Sequence, residues 1–477
     1  MNHAEFSNSS ESHATISPEL SFSSLGLRAP LLTNLSSLGY ETMTPIQAQS
    51  LPLMLNRCDV IAQAKTGSGK TAAFGLSLLN FLNLDHFAIQ ALVLCPTREL
   101  AEQVTQVLRQ LARLMPNVKI LNLSGGMPMK PQLDSLKHGA HIIVGTPGRV
   151  QKHIDKESLS LASLQTLVLD EADRMLDMGF YDEIKAIISA CPKQRQTNLF
   201  SATYPSGIKQ LANTFMRNAQ RVVIEEAHTE LDIEQHFFEV SHQSNKFTLL
   251  KTLLLHYQPT SALIFCNTKD QTILLADLLK HEGFSAIALN GDMEQIERDL
   301  AMIRFGNQSC SILVATDVAA RGLDIKELPA VINYDLAFEQ EVHIHRVGRT
   351  GRAGSKGLAL SITTPADAER LCAIERNMTE PLTWKKIESL KQNSATRLFP
   401  PMVTFCLSAG RKDKIRPGDI LGALTKDMGL PGDKIGKINI TAMHSYVAIN
   451  HDQAEKVYKY LQQGKLKGRK VHVKRLR

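Results

Sequence analysis

Residues 59–71 read Asp-Val-Ile-Ala-Gln-Ala-Lys-Thr-Gly-Ser-Gly-Lys-Thr. A short apolar run leads into a glycine-containing loop, and the loop opens on a helical pattern, TAAFGLSLLNFL. Glycines let backbone amides approach phosphate oxygens. A lysine supplies a point charge to the β- and γ-phosphates, and the next hydroxyl can sit on Mg2+. The common pattern begins with glycine, where this chain has Ala64. Ala64, Lys65, Thr66, Gly67, Ser68, Gly69, Lys70 and Thr71 are the expected phosphate-binding residues, with Mg2+ on Thr71.

A second apolar run, TLVL, ends in Asp170-Glu171-Ala172-Asp173. A carboxylate at such a strand end can hold Mg2+ through water. Its neighbour can orient and deprotonate an attacking water. Asp170 is assigned to the metal and Glu171 to the water. Similar runs recur along the chain. DVIAQA, ALVLCP, HIIVGT, TLVLDE and QTNLFSAT form one set between 59 and 203; SALIFCN, AIALNG, CSILVATD, AVINYD and LALSIT form another between 261 and 363. Continuous apolar strands alternating with helical patterns imply parallel sheets covered on both faces. Two sets with a break near 222–234 imply two α/β domains, with chemistry at the carboxyl ends of the strands.

The positive charge is concentrated. Residues 401–477 carry 16 Lys and Arg against 6 Asp and Glu, whereas the preceding 400 residues carry 38 against 41. Such a single-sign field points to a polyanion partner. The order strand, helix, strand, strand, helix, strand in this tail predicts a small α+β domain. The seven cysteines are widely spaced, and Cys95 and Cys266 lie inside apolar runs. They read as buried hydrophobes in a reducing compartment. The Ser-rich first 20 residues lack the regions of a secretory leader and are expected to be disordered. No run approaches a membrane span. A cytoplasmic protein with no membrane and no obligate protein partner is expected.

His345-Arg346-Val347-Gly348-Arg349-Thr350-Gly351-Arg352 sets arginines three apart. A nucleotide site built by one domain gains rate when another supplies positive charge in the transition state. Arg349 and Arg352 are assigned that role.

With these residues in place, the chain resembles the DEAD-box RNA helicases over about residues 22–365. Gly39-Tyr40-Glu41-Thr42-Met43-Thr44-Pro45-Ile46-Gln47 resembles the family's adenine-reading segment, with Met43 where many members have proline. The resemblance implies two tandem RecA-like domains and ATP as the nucleotide. Gln47 would read the adenine edge, Thr42 would belong to the nucleotide site, and Phe22 would pack on the base. It also implies RNA-backbone contacts at Pro96, Thr97, Arg98, Gly125, Gly126, Thr146, Pro147, Gly148 and Arg149. On the second domain the matching positions are Asn267, Thr268, Gln295, Arg298, Thr316 and Arg321. Asp173, Ser201, Thr203, Asp317 and His345 would couple ATP state to RNA, and Asp324 would face the ribose.

The tail resembles the RRM-like domain of the bacterial DbpA-type helicases, through residues 416–424 and 435–438. That resemblance implies large-subunit (23S) ribosomal RNA as target and a role in ribosome assembly. The strand SYVAIN lacks the aromatic run of ordinary RRMs. By alternation Tyr446 is the one ring that faces outward, while Phe405 faces the core. Lys412, Lys414, Arg416, Lys465, Lys467, Arg469 and Lys470, with Lys474, are the other candidate contacts. The expected domains are a tail (1–20), a first RecA-like domain (21–222), a linker (223–233), a second RecA-like domain (234–370), a helix and linker (371–400) and a basic RRM-like domain (401–477). The implied activity is ATP-dependent local unwinding of short RNA duplexes. The alternative is an ATP-gated RNA clamp or assembly scaffold with little unwinding.

Overall fold

The structure is a computed structural model. It describes residues 21–64, 67–126, 128–224, 233–320, 328–351, 356–376, 381–391 and 399–476. These fall into two compact units, one on each side of residues 225–232.

The first unit is built on seven strands: β1 (Val60–Gln63), β2 (Ala91–Leu94), β3 (Ile120–Leu123), β4 (Ile142–Gly145), β5 (Thr166–Leu169), β6 (Gln196–Ser201) and β7 (Gln220–Val223). Their order is β3-β4-β2-β5-β6-β1-β7, and every neighbouring pair is parallel. Alternate residues of each strand enter different cores. Val93, Val168 and Phe200 pack on one face; Leu92, Leu167 and Leu199 pack on the other. A sheet covered twice needs apolar side chains at every position, which is why these strands read as unbroken apolar runs. Strands β3 and β7 close the edges and are half-exposed in part, so their sequences carry a weaker signal.

The second unit contains β8 (Ile233–Glu239), β9 (Ala262–Phe265), β10 (Ala286–Leu289), β11 (Ile312–Ala315), β12 (Ala330–Asn333) and β13 (Gly357–Thr363). They form a parallel sheet in the order β10-β11-β9-β12-β13-β8. Part of the segment expected to be a linker is added to this sheet. The Phe237 amide donates to the Thr383 carbonyl (2.9 Å), and the Lys385 amide donates to the Phe237 carbonyl (3.0 Å). Trp384 packs on Phe237 with ring centroids 5.9 Å apart. Residues 383–385 thus shield the open edge of β8.

The same unit carries the C-terminal domain: β14 (Met402–Leu407), β15 (Ile435–Ile440), β16 (Ser445–Asn450), a hairpin of β17 (Lys465–Leu466) and β18 (Arg469–Lys470), and β19 (Val473–Arg475). Its antiparallel sheet has the order β15-β16-β14-β19. The helix Pro417–Gly422 runs on into a π turn, and the helix Ala454–Gln463 packs on the same face. Val403, Phe405, Leu407, Val447 and Ile449 form the core, where Phe405 stacks on Tyr458 at 5.6 Å.

The opposite face of this sheet is covered. Thr404 is 0% exposed there. Its hydroxyl donates to Ser309 Oγ (2.7 Å) and accepts from Asn307 Nδ2 (3.3 Å). The Met402 amide donates to the Gln308 carbonyl (3.3 Å). Tyr446 lies on that face as its alternation requires, but it is 7% exposed. Its expected role as a stacking ring is corrected here: burial leaves no open ring face.

Thr404→Val would strand the Ser309 and Asn307 side chains in a dry contact, at a cost of about 1–3 kcal/mol. The Met402 amide should then exchange with solvent deuterium faster than in the parent. Thr404→Ser, which retains the hydroxyl, should restore slow exchange.

Candidate functional site

The phosphate loop follows β1, with Gly67 and Gly69 at φ of +92° and +95°. That region is strained for residues with a Cβ. At Gly69 a Cβ would also strike the Gln47 amide. Lys70 begins the helix Lys70–Phe81. Its buried Nζ donates to the Ala64 carbonyl (2.6 Å). Burial draws the Lys70 pKa down, although the nearby Asp170 and Glu171 oppose that shift. Lys65 and Thr66 lie outside the described residues.

The segment expected to read adenine is packed against this loop. Gln47 Nε2 donates to the Gly69 carbonyl (3.1 Å), and Gln47 Oε1 accepts from the Thr44 amide (2.9 Å). The Thr44 hydroxyl donates to the Ser68 carbonyl (2.8 Å). Thr44, not the exposed Thr42, therefore reaches the loop. The signal that could have found it is Thr-x-x-Gln at the start of a helix, a capping box. Phe22 is buried in the core, edge-on to Tyr40 at 6.3 Å, and offers a base no open face in this conformation.

Strand β5 delivers the carboxylates. Its neighbour β6 lies beside β1, so the ends of all three strands meet at one edge. Asp170 is buried, and burial together with Glu171 pushes its pKa up to about 7. Glu171 adopts a left-handed backbone, φ +52°, a conformation costing about 1–2 kcal/mol for a residue with a Cβ. Its buried carboxylate pairs with Arg174 Nη1 at 2.9 Å. Asp173 accepts from the Ala202 amide (3.1 Å), the Thr203 amide (3.0 Å) and the Thr203 hydroxyl (2.9 Å). Burial alone would raise the Asp173 pKa, but these donors and Arg174 bring it below the ordinary carboxylate value. The acidic run and Ser201-Ala202-Thr203 are thus one bonded unit. Arg174 was not anticipated from sequence.

Elsewhere on the first unit, Thr97 caps the helix Arg98–Leu111, and Thr146 precedes the helix Pro147–Asp155. Pro96 and Pro147 are buried, and Gly148 faces open space. The Arg98 guanidinium lies over Gly125 and Gly126; a Cβ on Gly126 would collide with it. Arg149 Nη1 donates to Gln132 Oε1 (2.8 Å). Burial and then the like charge of Arg98 draw the Arg149 pKa down.

In the second unit a residue given no role from sequence organises the site. Arg346, 1% exposed, donates to both carboxylate oxygens of Asp317 (2.7 Å each), to the Asp335 carbonyl (2.6 Å) and to Asn267 Oδ1 (2.9 Å). Asn267 also donates to the Asp335 carboxylate and the Leu336 carbonyl, so its polar groups are engaged within the protein. Thr268 and Thr316 accept helix-start amides. Gln295 donates to Asp299, and Arg298 donates to the Asn290 carbonyl. His345 is half-buried; Arg349 is nearly buried, and its carbonyl accepts from the Leu328 amide. Arg321, Asp324 and Arg352 lie outside the described residues.

On the C-terminal domain, Lys412, Lys414, Arg416, Lys467, Lys470 and Lys474 are exposed. The Lys467 ammonium donates to the Lys414 carbonyl (2.9 Å) and pairs with Asp419 (2.9 Å). It thereby draws the two basic stretches, separate in sequence, to one side of the domain. The side chains of Lys465 and Arg469 are outside the described structure.

Family models match the whole arrangement. Residues 44–211 match the DEAD/DEAH box helicase domain, 245–354 the helicase conserved C-terminal domain and 404–475 the DbpA RNA binding domain. ATP-dependent RNA helicase DbpA of Escherichia coli K12 is 50% identical over 457 residues, covering 96% of this chain and 99% of the relative. The chain belongs to the DbpA-type DEAD-box RNA helicases. The Bacillus subtilis DbpA is 39% identical, over 93% of this chain and 96% of its own length. Among solved structures, Saccharomyces cerevisiae Dbp5 bound to RNA and ADP BeF3 is 32% identical, with a TM-score of 0.70 over 77% of this chain and 96% of that one. This helicase is accordingly an RNA-dependent ATPase built from two RecA-like domains and an RNA-binding domain.

His343 lies two residues before His345 in the arginine-rich segment. It is buried against Phe237, and neither ring nitrogen has a hydrogen-bond partner among the described residues. Burial, aided by Arg346, lowers its pKa to about 4. The unfolded chain therefore takes up this proton first as pH falls. Stability is intact above the ordinary histidine value near 6.5 and is lost progressively toward pH 4, by on the order of 3 kcal/mol. In His343→Phe, urea melts of the second unit should show a shallower loss of stability over that range than in the parent.

Proposed function

We propose that this helicase couples ATP binding and hydrolysis to local separation of short RNA duplexes, and that residues 401–477 direct it to large-subunit ribosomal RNA. The observation that carries the reading is the convergence of Lys70, the Asp170-Glu171 pair and the Asp173–Thr203 unit at three adjoining strand ends. Lys70 exchanges the Ala64 carbonyl for a phosphate oxygen. Gln47 gives up the Gly69 carbonyl to meet the adenine edge. Glu171, held by Arg174, orients the attacking water and accepts its proton. Arg349 and Arg352 supply positive charge from the second domain. The Asp173–Thr203 unit and the Asp317–Arg346 pair carry the state of the nucleotide to the RNA-facing segments.

The oxygen donors at this edge suit Mg2+. Thr71 and Asp170 supply hard oxygen donors, and a carboxyl whose pKa burial raises to about 7 is relieved by a divalent cation. Asp170 and Thr71 would hold it, largely through water, where it would offset phosphate charge.

Arg98 with Gly125-Gly126 and Arg149 form the backbone contact of the first domain. The exposed lysines around Lys467 form that of the C-terminal domain. Phosphate contacts of this kind position RNA without reading sequence and weaken with salt. The seven cysteines are free, four of them buried, which suits a reducing cytoplasm.

Lys70→Ala should raise the Kd for ATP at least tenfold. Glu171→Gln should leave that Kd unchanged while lowering turnover about a hundredfold or more. Normal turnover in Glu171→Gln removes the base assignment.

The wider reading is tested by ATP hydrolysis with no RNA, with an unstructured homopolymer and with ribosomal RNA. Stimulation by ribosomal RNA that disappears without residues 401–477 supports targeting. Equal stimulation by all RNAs removes it. Hydrolysis without strand separation on a short tailed duplex leaves an ATP-gated clamp.

A further inference from the structure

The nine-residue helix Met129–Lys137 has one buried side chain, and it is polar: Gln132, 9% exposed. Three segments meet on its amide. Gln132 Nε2 donates to the Ser124 carbonyl (3.1 Å), the residue just before Gly125-Gly126. Gln132 Oε1 accepts from Arg149 Nη1 (2.8 Å) and from His153 Nε2 (3.0 Å). Arg149 and His153 are four apart on the helix Pro147–Asp155, so they share a face. His153 is fully buried, and its Nδ1 is 2.9 Å from the Ser158 hydroxyl.

These partners fix the orientation of the Gln132 amide. Arginine only donates and a backbone carbonyl only accepts, so the Gln132 oxygen must face Arg149 and its nitrogen must face Ser124. The oxygen then takes its proton from His153 Nε2, while the Ser158 hydroxyl, which donates to the His153 carbonyl (2.9 Å), lies against Nδ1. Burial, then Arg149 and Lys156, lower the His153 pKa and favour the uncharged ring.

Arg149 and Arg98 are like charges brought together, and Arg98 lies across the Gly125-Gly126 turn. Before an anion arrives, two such cations tend to swing apart into solvent. A neutral oxygen at 2.8 Å holds Arg149, and the same amide holds the turn beneath Arg98.

We propose that Gln132, backed by His153, is a positioning residue that presets Arg149 and the Gly125-Gly126 turn as one receptor for a single-stranded RNA phosphate. It rests on the reading of Arg149 as a backbone contact. Preorganisation of this kind shows as affinity for RNA rather than as chemistry on ATP.

The test uses the full chain and single-stranded RNA in RNA-stimulated ATP hydrolysis. Gln132→Met, which preserves volume and removes both hydrogen-bonding functions, should raise the KM for RNA roughly tenfold and change kcat at saturating RNA less than about twofold. The slope of log KM for RNA against log salt should fall by about 0.7, the equivalent of one single-strand phosphate. Arg149→Ala should raise the KM to a similar degree, and adding Gln132→Met to it should raise the KM further by less than it does in the parent, because one of the two holds of Gln132 is already gone. His153→Phe preserves the ring and removes the donated proton; it should shift KM in the same direction and carries the test if Gln132→Met does not fold. A parental KM and salt slope in Gln132→Met or, where that variant does not fold, in His153→Phe, alongside a raised KM in Arg149→Ala, overturns the positioning role. Additive effects in the double variant overturn it too. An unchanged KM in Arg149→Ala overturns the backbone-contact reading, and the proposal falls with it.

Discussion

Charge held out of water at the ends of β5, β6 and β1 is the constraint on which the first domain depends. Lys70, Asp170, Glu171, Asp173 and Arg174 are all buried within a few residues of one sheet edge. Each isolated charge would cost several kcal/mol to desolvate, so the arrangement persists only where partners are fixed. The partners divide the group in two. Glu171 with Arg174 and Asp173 with the Thr203 segment are satisfied by the protein itself. Lys70 leans on a backbone carbonyl, and Asp170 is pushed toward its neutral form. The Asp173–Thr203 unit acts as scaffold, and Arg174 holds the Glu171 carboxylate in place for the attacking water. The unsatisfied ones are where phosphate and a cation gain most by binding.

The second domain meets the same difficulty with an arginine at its centre. Arg346 is enclosed, and its guanidinium is distributed over Asp317, Asn267 and the Asp335 carbonyl. The Asp335 carboxylate in turn receives the buried Lys246 ammonium. The strands that supply these groups, β9, β11 and β12, are central in the sheet. A shift at any one of them disturbs shared hydrogen bonds rather than a single contact, which is the property a coupling element requires.

Central strands and the chemistry at their ends were legible in sequence, because double burial forces apolar runs and buried charge must sit at their termini. TLVL followed by Asp170-Glu171 is unambiguous for that reason. The edge strands β3, β7 and β8 were less legible, since Gln220–Val223 needs only one buried face and Ile233–Glu239 shows mixed polarity. Residues whose work is to hold others were also hidden. Gln132 looks like an ordinary surface polar residue along the chain; its partners Ser124, Arg149 and His153 lie 8 to 21 residues away, and no local pattern encodes that. Arg346 stood beside Arg349 and Arg352, the two arginines assigned to the nucleotide, and was given no role, yet it is more deeply enclosed than Arg349.

The C-terminal sheet shows why period-2 reasoning can place a side chain on the right face and still misjudge its use. Alternation puts Thr404, Cys406, Tyr446 and Ala448 opposite the core, where an RNA-stacking surface would lie. Three of these four are small or weakly polar, which suits close approach of another protein surface better than stacking of bases. Thr404 and Ala448 are fully buried, and the Thr404 hydroxyl is shared between Asn307 and Ser309. With that face occupied, the positive field of residues 401–477 has to act from the loops and the hairpin. The Lys467 bridge gathers the 411–416 and 465–470 stretches on that side of the domain. One sheet can thus serve two partners: a nearly uncharged face that fixes it to the second domain, and a lysine-rich margin that remains in solvent for a polyanion.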